Sequence, residues 1–262
     1  MTIAYSAMPP IKLSAVIITF NEEKNIERCL RSLIGVADEV LVVDSFSNDD
    51  TEKICRSFDV RFIQHKFEGH IEQKNYAMGM ASHDHILSLD ADEALSDTLR
   101  DAIINIKNKW RCDAYQISRL NNYCGKFIHH GGWYPDSRIR LWDRRKGSWG
   151  GENPHDQVIM NEPAIQGKIK GDLFHFTYRN LSEHMLQMDK FSEIAARESF
   201  RKGRKVYFVI HLMLNPLFIF IKSYFLRLGF LDGKEGFLLA VTGSYYRFLK
   251  YAKLRALYAS KA

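Results

Sequence analysis

No two of the four cysteines, Cys29, Cys55, Cys112 and Cys124, form a Cys-X-X-Cys pair. That scatter argues against a zinc site or a disulfide scaffold and suits a reduced, cytosolic protein. Proline is scarce, six in 262 residues, and there is no low-complexity linker and no internal repeat. The first ten residues lack a basic stretch followed by an apolar core, so no signal peptide is expected there. Long apolar runs are also wanting. The longest uncharged one, Val206 to Ile221, is shorter than the ~20 residues of a spanning helix and contains Pro216, so it reads as a buried or interfacial segment. No nucleic-acid-binding motif is present, and no nucleic-acid partner is expected. Finally, Thr19-Phe20-Asn21-Glu22-Glu23 contains no glycine, which counts against the Gly-rich phosphate loop of nucleotidyltransferases.

What is present is an unevenly charged globular chain. A formal charge of +6 divides into 10 basic and 17 acidic side chains over residues 1–100 and 27 and 14 over residues 101–262. From residue 197 onward the count is 13 basic against 3 acidic. The front half looks like a cation-binding module and the tail like a partner for an anionic surface.

Strand and helix patterns alternate through the first hundred residues. Leu13 to Phe20 is near-continuously apolar, as in a parallel strand covered on both faces. Asn21 is placed to cap a helix from Glu22 to about Leu33, ended by Gly35. A strand over Glu39–Val43, a helix from Asn48 or Asp49 to about Phe58, a strand over Arg61–Gln64 and a helix over Gly69–Ser82 follow. Then come a strand over Ile86–Leu89 and a helix capped by Ser96. This order predicts an α/β fold with a parallel sheet. Right-handed connections bring the strand ends bearing Asn21, Asp44 and Asp90 to one edge, where such sheets bind ligands. From Asp113 the segments Asp113–Asn122, Lys126–His129, Ser137–Trp142 and Asp172–Thr177 read as short antiparallel additions. Aromatic-rich loops are expected at 130–135 and 147–156. A long amphipathic helix is expected from Ser182 to about Phe200, then the basic run 201–205 and a helical, Lys/Arg- and aromatic-rich tail.

The most telling stretch is His83 to Leu95, where Ile86, Leu87 and Leu89 are followed at once by Asp90, Asp92 and Glu93. Side chains two apart in an extended segment share a side, so Asp90 and Asp92 present two carboxylates together. Their repulsion is relieved by a divalent cation, for which oxygen ligands suit magnesium or manganese. The plainer alternative is a solvated acidic turn before a helix.

Four motifs, Thr19-Phe20-Asn21-Glu22-Glu23, Val42-Val43-Asp44-Ser45, Gln73-Lys74-Asn75-Tyr76-Ala77 and Leu89-Asp90-Ala91-Asp92-Glu93, together resemble the family 2 inverting glycosyltransferases of the GT-A fold. Arg138-Ile139-Arg140-Leu141-Trp142, Pro154-His155-Asp156, His175-Phe176-Thr177-Tyr178-Arg179 and Leu228-Gly229-Phe230-Leu231-Asp232-Gly233 are similar to the subgroup of lipopolysaccharide inner-core β-1,4-glucosyltransferases. The resemblance implies a Rossmann-like mixed sheet with helices on both faces over residues 11–180. A C-terminal helical, basic extension, membrane-associating or oligomerising, would occupy 181–262. It implies a UDP-sugar donor, Mg2+ or Mn2+, and a lipid-linked saccharide acceptor, such as a heptose of the inner core. Thr19, Asn21, Glu23, Asp44, Lys74 and Asp90 would line the nucleotide pocket, with Asn21 as a plain helix cap and Lys74 as an exposed helix lysine the alternatives. Asp92, Asp90 and His175 would serve the cation, Asp92 most directly; a core histidine is the other reading of His175. Inversion by a single displacement needs one general base. Asp156, where the subgroup usually has Glu, is the first candidate and Glu152 the second; either acid also suits a loop-holding role. Trp133, Tyr134 and Trp149 would face the acceptor or anchor the core. The tail suits the inner face of the bacterial inner membrane, or a helical pair packed on the domain or forming a homodimer. Rival functions are transfer to another polysaccharide or a peptide, and an inactive sugar-nucleotide- or membrane-binding protein.

Overall fold

The computed structural model describes residues 9–152 and 155–260. Asn153 and Pro154 of the expected loop, and Lys261 and Ala262 of the expected extension, lie outside them.

In chain order the elements are β1 (Leu13–Thr19), α1 (Ile26–Leu33), β2 (Glu39–Asp44), α2 (Thr51–Cys55), β3 (Arg61–Gln64), α3 (His70–Met80), β4 (His85–Asp90), β5 (Glu93–Leu95) and α4 (Asp97–Asn108). There follow β6 (Ala114–Tyr123), β7 (Lys126–Phe127), β8 (Asp136–Asp143), β9 (Gly147–Glu152), β10 (His155–Met160), β11 (Gln166–Tyr178) and α5 (Leu181–Arg201). A helical run over Phe208–Leu226, whose middle is α6 (Asn215–Ile221), and α7 (Gly233–Ala259) complete the chain.

The chain divides into two units. The first runs to Arg119 and resumes over Asp136–His175; the second takes Leu120–Pro135 and continues from Phe176. This differs from a boundary at 180, because residues 120–135 leave the first unit and both β6 and β11 are divided within their length.

In the first unit β3, β2, β1 and β4 are mutually parallel. The sheet continues in the order β8, β6, β11, β5, with β8 antiparallel to β4 and β6 antiparallel to β8. Alternation along β1 explains the layering. Leu13, Ala15 and Ile17 point into one core with Ile26, Leu30 and Leu33 of α1 and Leu99 and Ile103 of α4. Val16 points into the other, with Ala77 of α3, Trp142, and Trp149 and Val158 of the β9–β10 hairpin. Both faces are thus apolar, so the strand reads as an unbroken hydrophobic run.

Several expectations need correction. The first helix begins at Ile26, not Glu22, because Asn21 takes a left-handed backbone (φ 56°) and Glu22–Asn25 form a turn. The second helix is only Thr51–Cys55. The expected loop over 147–156 is an antiparallel hairpin in which Asp156 faces Gly151 and Val158 faces Trp149. Its glycines hid it: Gly147 and Gly150 lie where Met160 and Ile159 occupy the space of a side chain, so no alternation shows. β11 is 13 residues long rather than six, its first half being Gln-Gly-Lys-Ile-Lys-Gly.

In the second unit Tyr123, Ile128 and Leu239 form a small core with Trp133 and Tyr178 against it. Pro216 does not end the helix: π-helical turns over Phe208–Leu214 lead directly into α6, whose first turn contains Pro216. The helical run therefore extends to Leu226, and its apolar side chains, Phe208, Val209, Leu217 and Phe225 among them, are exposed rather than buried. The run is long and apolar enough to cross a membrane by length and composition.

Candidate active site

The register places Asp44 opposite Thr19 and Asp90 opposite Ile18, so three strand ends share one edge of the sheet. Asp44 is fully buried, and its carboxylate accepts bonds from the amide and hydroxyl of Ser47. The left-handed turn at Asn21 lets its amide donate to Ser47 Oγ (2.8 Å) while its Oδ1 accepts from the Asn48 amide (2.9 Å). Glu23 donates its amide to Asp49 and accepts from the Asp50 amide at 3.2 Å. These bonds stitch the loops after β1 and β2 into one wall. Asn21 therefore acts as a cross-loop tie; no side-chain cap bond is made at the start of α1. Beneath the wall, Thr19 Oγ1 is buried without a hydrogen-bond partner among the described residues.

Next to it lies a cluster of buried charge. Lys74, on the buried side of α3, holds Asp90 Oδ1 at 2.9 Å and Asp156 Oδ2 at 2.8 Å, and its ammonium sits 4.4 Å from the centre of the Trp149 ring. One nitrogen of Arg140, Nη2, donates to Asp90 (2.9 Å) and to Glu93 (2.8 Å). Glu93 in turn accepts the Asp90 amide at 2.9 Å, which closes the turn between β4 and β5. Burial alone would raise the Asp90 carboxyl, but Lys74 and Arg140 outweigh it and hold the group well below its ordinary range. For Glu93 burial wins, reinforced by the Asp90 charge, and the carboxyl is pushed up despite Arg140. Two acids sharing one guanidinium nitrogen are thus driven in opposite directions.

Trp149 forms an inner wall here. It is buried, edge-on to Trp142, and both its amide and its carbonyl are bonded to the Asn75 side chain (3.0 and 2.9 Å). Asn75 thereby pins the hairpin that carries Asp156. Glu152, the second base candidate, is exposed at the end of β9. Trp133 and Tyr134 belong to the second unit: Trp133 packs against its small core, and Tyr134 meets the His129 ring edge-on.

Asp92 lies apart from Asp90's ion pairs, with Oδ2 3.2 Å from His175 Nε2. Burial would lower the His175 pKa, but its bond to Asp92 and the Asp92 and Glu93 charges raise it. Among the described residues no three of His, Cys, Asp and Glu gather as a ready metal cage. The carboxylate–imidazole pair nevertheless suits a cation that draws its remaining ligands from a diphosphate, a mode usual for magnesium and acceptable for manganese.

Arg140, Glu93, Gln73 and Asn75 take no individual role in the sequence reading, although all four fall within the quoted motifs. Gln73 is fully buried and links His65 to Ser45. Arg140 alternates with Ile139 and Leu141 as a solvent-facing strand position would, so its burial left no local signal.

A model of glycosyl transferase family 2 matches residues 14–167. An uncharacterised glycosyltransferase of Rickettsia typhi is 32% identical over 256 residues, covering 94% of this chain and 87% of the relative. The lipopolysaccharide core biosynthesis glycosyltransferase LpsC of Rhizobium meliloti is 29% identical over 266 residues, covering 97% and 96%. Among solved structures, S. aureus TarS 1–349 in complex with UDP-GlcNAc aligns with a TM-score of 0.48 at 17% identity, over 96% of this chain and 92% of that one. Glucosyl-3-phosphoglycerate synthase from Mycobacterium tuberculosis, in complex with Mg2+ and UDP, aligns with a TM-score of 0.36 at 21% identity, over 43% and 44%. With its strand-end acids inside the matched span, this chain belongs to glycosyl transferase family 2 and is a glycosyltransferase with the GT-A mixed sheet that its motifs led us to expect.

Proposed function

We propose that the protein is an inverting transferase that moves a hexose, glucose by its resemblance to the inner-core glucosyltransferase subgroup, from a UDP-sugar to a heptose of the lipopolysaccharide inner core. The observation that carries this reading is the Lys74 bridge, which brings an acid of the nucleotide-side strand edge, Asp90, and an acid of the hairpin, Asp156, onto one ammonium. The kinship with LpsC, named for lipopolysaccharide core biosynthesis, supports the acceptor class.

The acceptor hydroxyl attacks the anomeric carbon, the bond to the diphosphate oxygen breaks, and its electron pair leaves with UDP. The hydroxyl proton passes to Asp156, whose Oδ1 makes no hydrogen bond among the described residues while Oδ2 is held by Lys74. Lys74 and Asn75 are positioning residues for that acid. Lys74 also offers a positive charge toward the diphosphate edge, and orphaned Thr19 Oγ1 is a donor within the nucleotide wall. Asp92 and His175 would hold Mg2+ or Mn2+, which supplies charge neutralisation to the departing diphosphate.

The test is UDP release across a panel of nucleotide sugars with truncated core acceptors, with manganese or with EDTA. Turnover with UDP-glucose on a heptose-bearing acceptor, lost on chelation, is the expected result. Transfer only to a peptide or to another polysaccharide overturns the acceptor assignment. UDP-sugar binding without turnover on any acceptor overturns the enzymatic reading, and activity surviving complete chelation removes the cation.

A further inference from the structure

The apolar run Phe208–Leu226 has two unlike sides. One packs along α7: the His211 ring lies 4.6 Å from Tyr251, Ser244 Oγ donates to the Pro216 carbonyl at 2.8 Å, and the Phe220 ring meets Phe237. The other carries Ile210, Leu214, Leu217, Ile221 and Phe225 at helical spacing, each at least 40% exposed. Isolated exposed apolar residues are ordinary, but a continuous stripe of this length marks a surface that something covers.

Charge indicates what covers it. Between Glu198 and Asp232 there is no acidic residue, whereas Arg201, Lys202, Arg204 and Lys205 precede the stripe and Lys222 and Arg227 close it. A second copy of this chain would bring six like charges against six, which opposes association. An anionic lipid leaflet meets the stripe with acyl chains and the flanking cations with phosphates. The cations stand at both ends, and α7, packed along the run, adds Arg255 over the Phe208 ring at 5.2 Å. Burying the pair across a bilayer would carry that charge inward, whereas lying in the headgroup plane leaves every cation at phosphate depth.

We propose that the Phe208–Leu226 face is a lipid-docking surface that lies in the plane of an anionic leaflet, holding the enzyme peripherally on the membrane. The inference rests on this surface and not on the reaction proposed above, so vesicle binding and turnover can fail separately.

The experiment is co-sedimentation of the full chain with phosphatidylcholine vesicles with and without phosphatidylglycerol. Binding is expected only to the anionic vesicles, reversed by high salt or alkaline carbonate. Leu217→Asp/Ile221→Asp, at exposed positions, is expected to weaken partitioning roughly tenfold or more, with circular dichroism and hydrolysis of UDP-sugar unchanged. Lys202→Glu/Lys205→Glu should remove much of the salt-sensitive part. Equal binding to neutral vesicles, no binding to either, or resistance to carbonate (a spanning helix) overturns the proposal. So does a double aspartate variant that turns a lipid-free dimer into a monomer while vesicle binding persists.

Discussion

At Arg140 one nitrogen serves two acids while two others, Nε and Nη1, are buried without a hydrogen-bond partner among the described residues. A guanidinium in that position is held by charge and not by a full set of bonds. Removing it leaves Glu93, which has no exposure at all, with Arg119 at 3.6 Å as its remaining ion-pair partner. Loss of one partner of a buried pair costs about 3–5 kcal/mol, while replacing both can be near neutral. Arg140→Met is therefore expected to lower the urea-unfolding free energy by about that amount, and Arg140→Met/Glu93→Gln to regain much of it. Asp92 contrasts with this pair. Its described ion pair is with His175 at 3.2 Å, and it is partly exposed. Asp92→Ala should abolish nearly all UDP release while shifting the melting temperature little. Equal losses of stability and activity in both variants would place Asp92 in the structural cluster instead.

Among the elements, one tight backbone approach is where β11 passes the start of α4. Gly171 has φ +100°, and a Cβ there would stand 2.5 Å from the Leu99 nitrogen. The same crossing is locked by Ser96, whose amide donates to the Asp172 carbonyl and whose hydroxyl accepts from the amides of Leu99 and Asp172. Gly171→Ala combines a left-handed strain with a clash against backbone, so a loss of roughly 3 kcal/mol or more is expected in denaturant melts. The hairpin offers a milder case. Asn75→Ala removes both bonds to Trp149 and should cost about 1–2 kcal/mol, with kcat falling further than stability accounts for because Asp156 loses its anchor. These elements also show what a sequence reveals. β1, β3, Ser96 as a cap and α5 were legible because an apolar run, a turn or a helical stripe settles each locally. The β9–β10 hairpin, β5 and the first half of β11 were not, since their residues pair with partners distant in sequence and their glycines carry no pattern. The site followed the same division: Asp44, Asp90 and Asp92 announce themselves at strand ends, whereas the Lys74–Asp156 pairing spans 82 positions and appears only once the hairpin folds over α3.

Across the whole molecule, one-sided titration governs stability toward acid. Asp38 is representative: burial would raise its carboxyl, but Lys107, the Leu13 amide and Lys12 outweigh that and leave it below its ordinary value. Asp136, beside Arg119 and Arg138, and Asp143, beside Arg145, are lowered against burial in the same way. A carboxyl lowered in the folded state binds its proton more readily once the chain unfolds. Its contribution is therefore complete above the ordinary carboxylate value of about 4 and is lost as pH falls through the folded value. His85 and His184 act in the same sense from higher pH, because burial lowers both and protonation below about 6.5 then favours unfolding. His175 and Glu93, both raised, oppose the trend, since each takes up its proton more readily in the folded chain. The lowered groups are the more numerous, so unfolding free energy should be highest near neutral pH and fall progressively below pH about 6, most steeply below about 4. Asp38→Asn should lower the plateau by about 1–2 kcal/mol and flatten the acid limb, because its carboxylate no longer has a proton to gain. Urea titrations of both proteins between pH 3 and 8 decide the matter: parallel curves, with the limb unchanged by the substitution, would show that Asp38 carries none of the acid sensitivity.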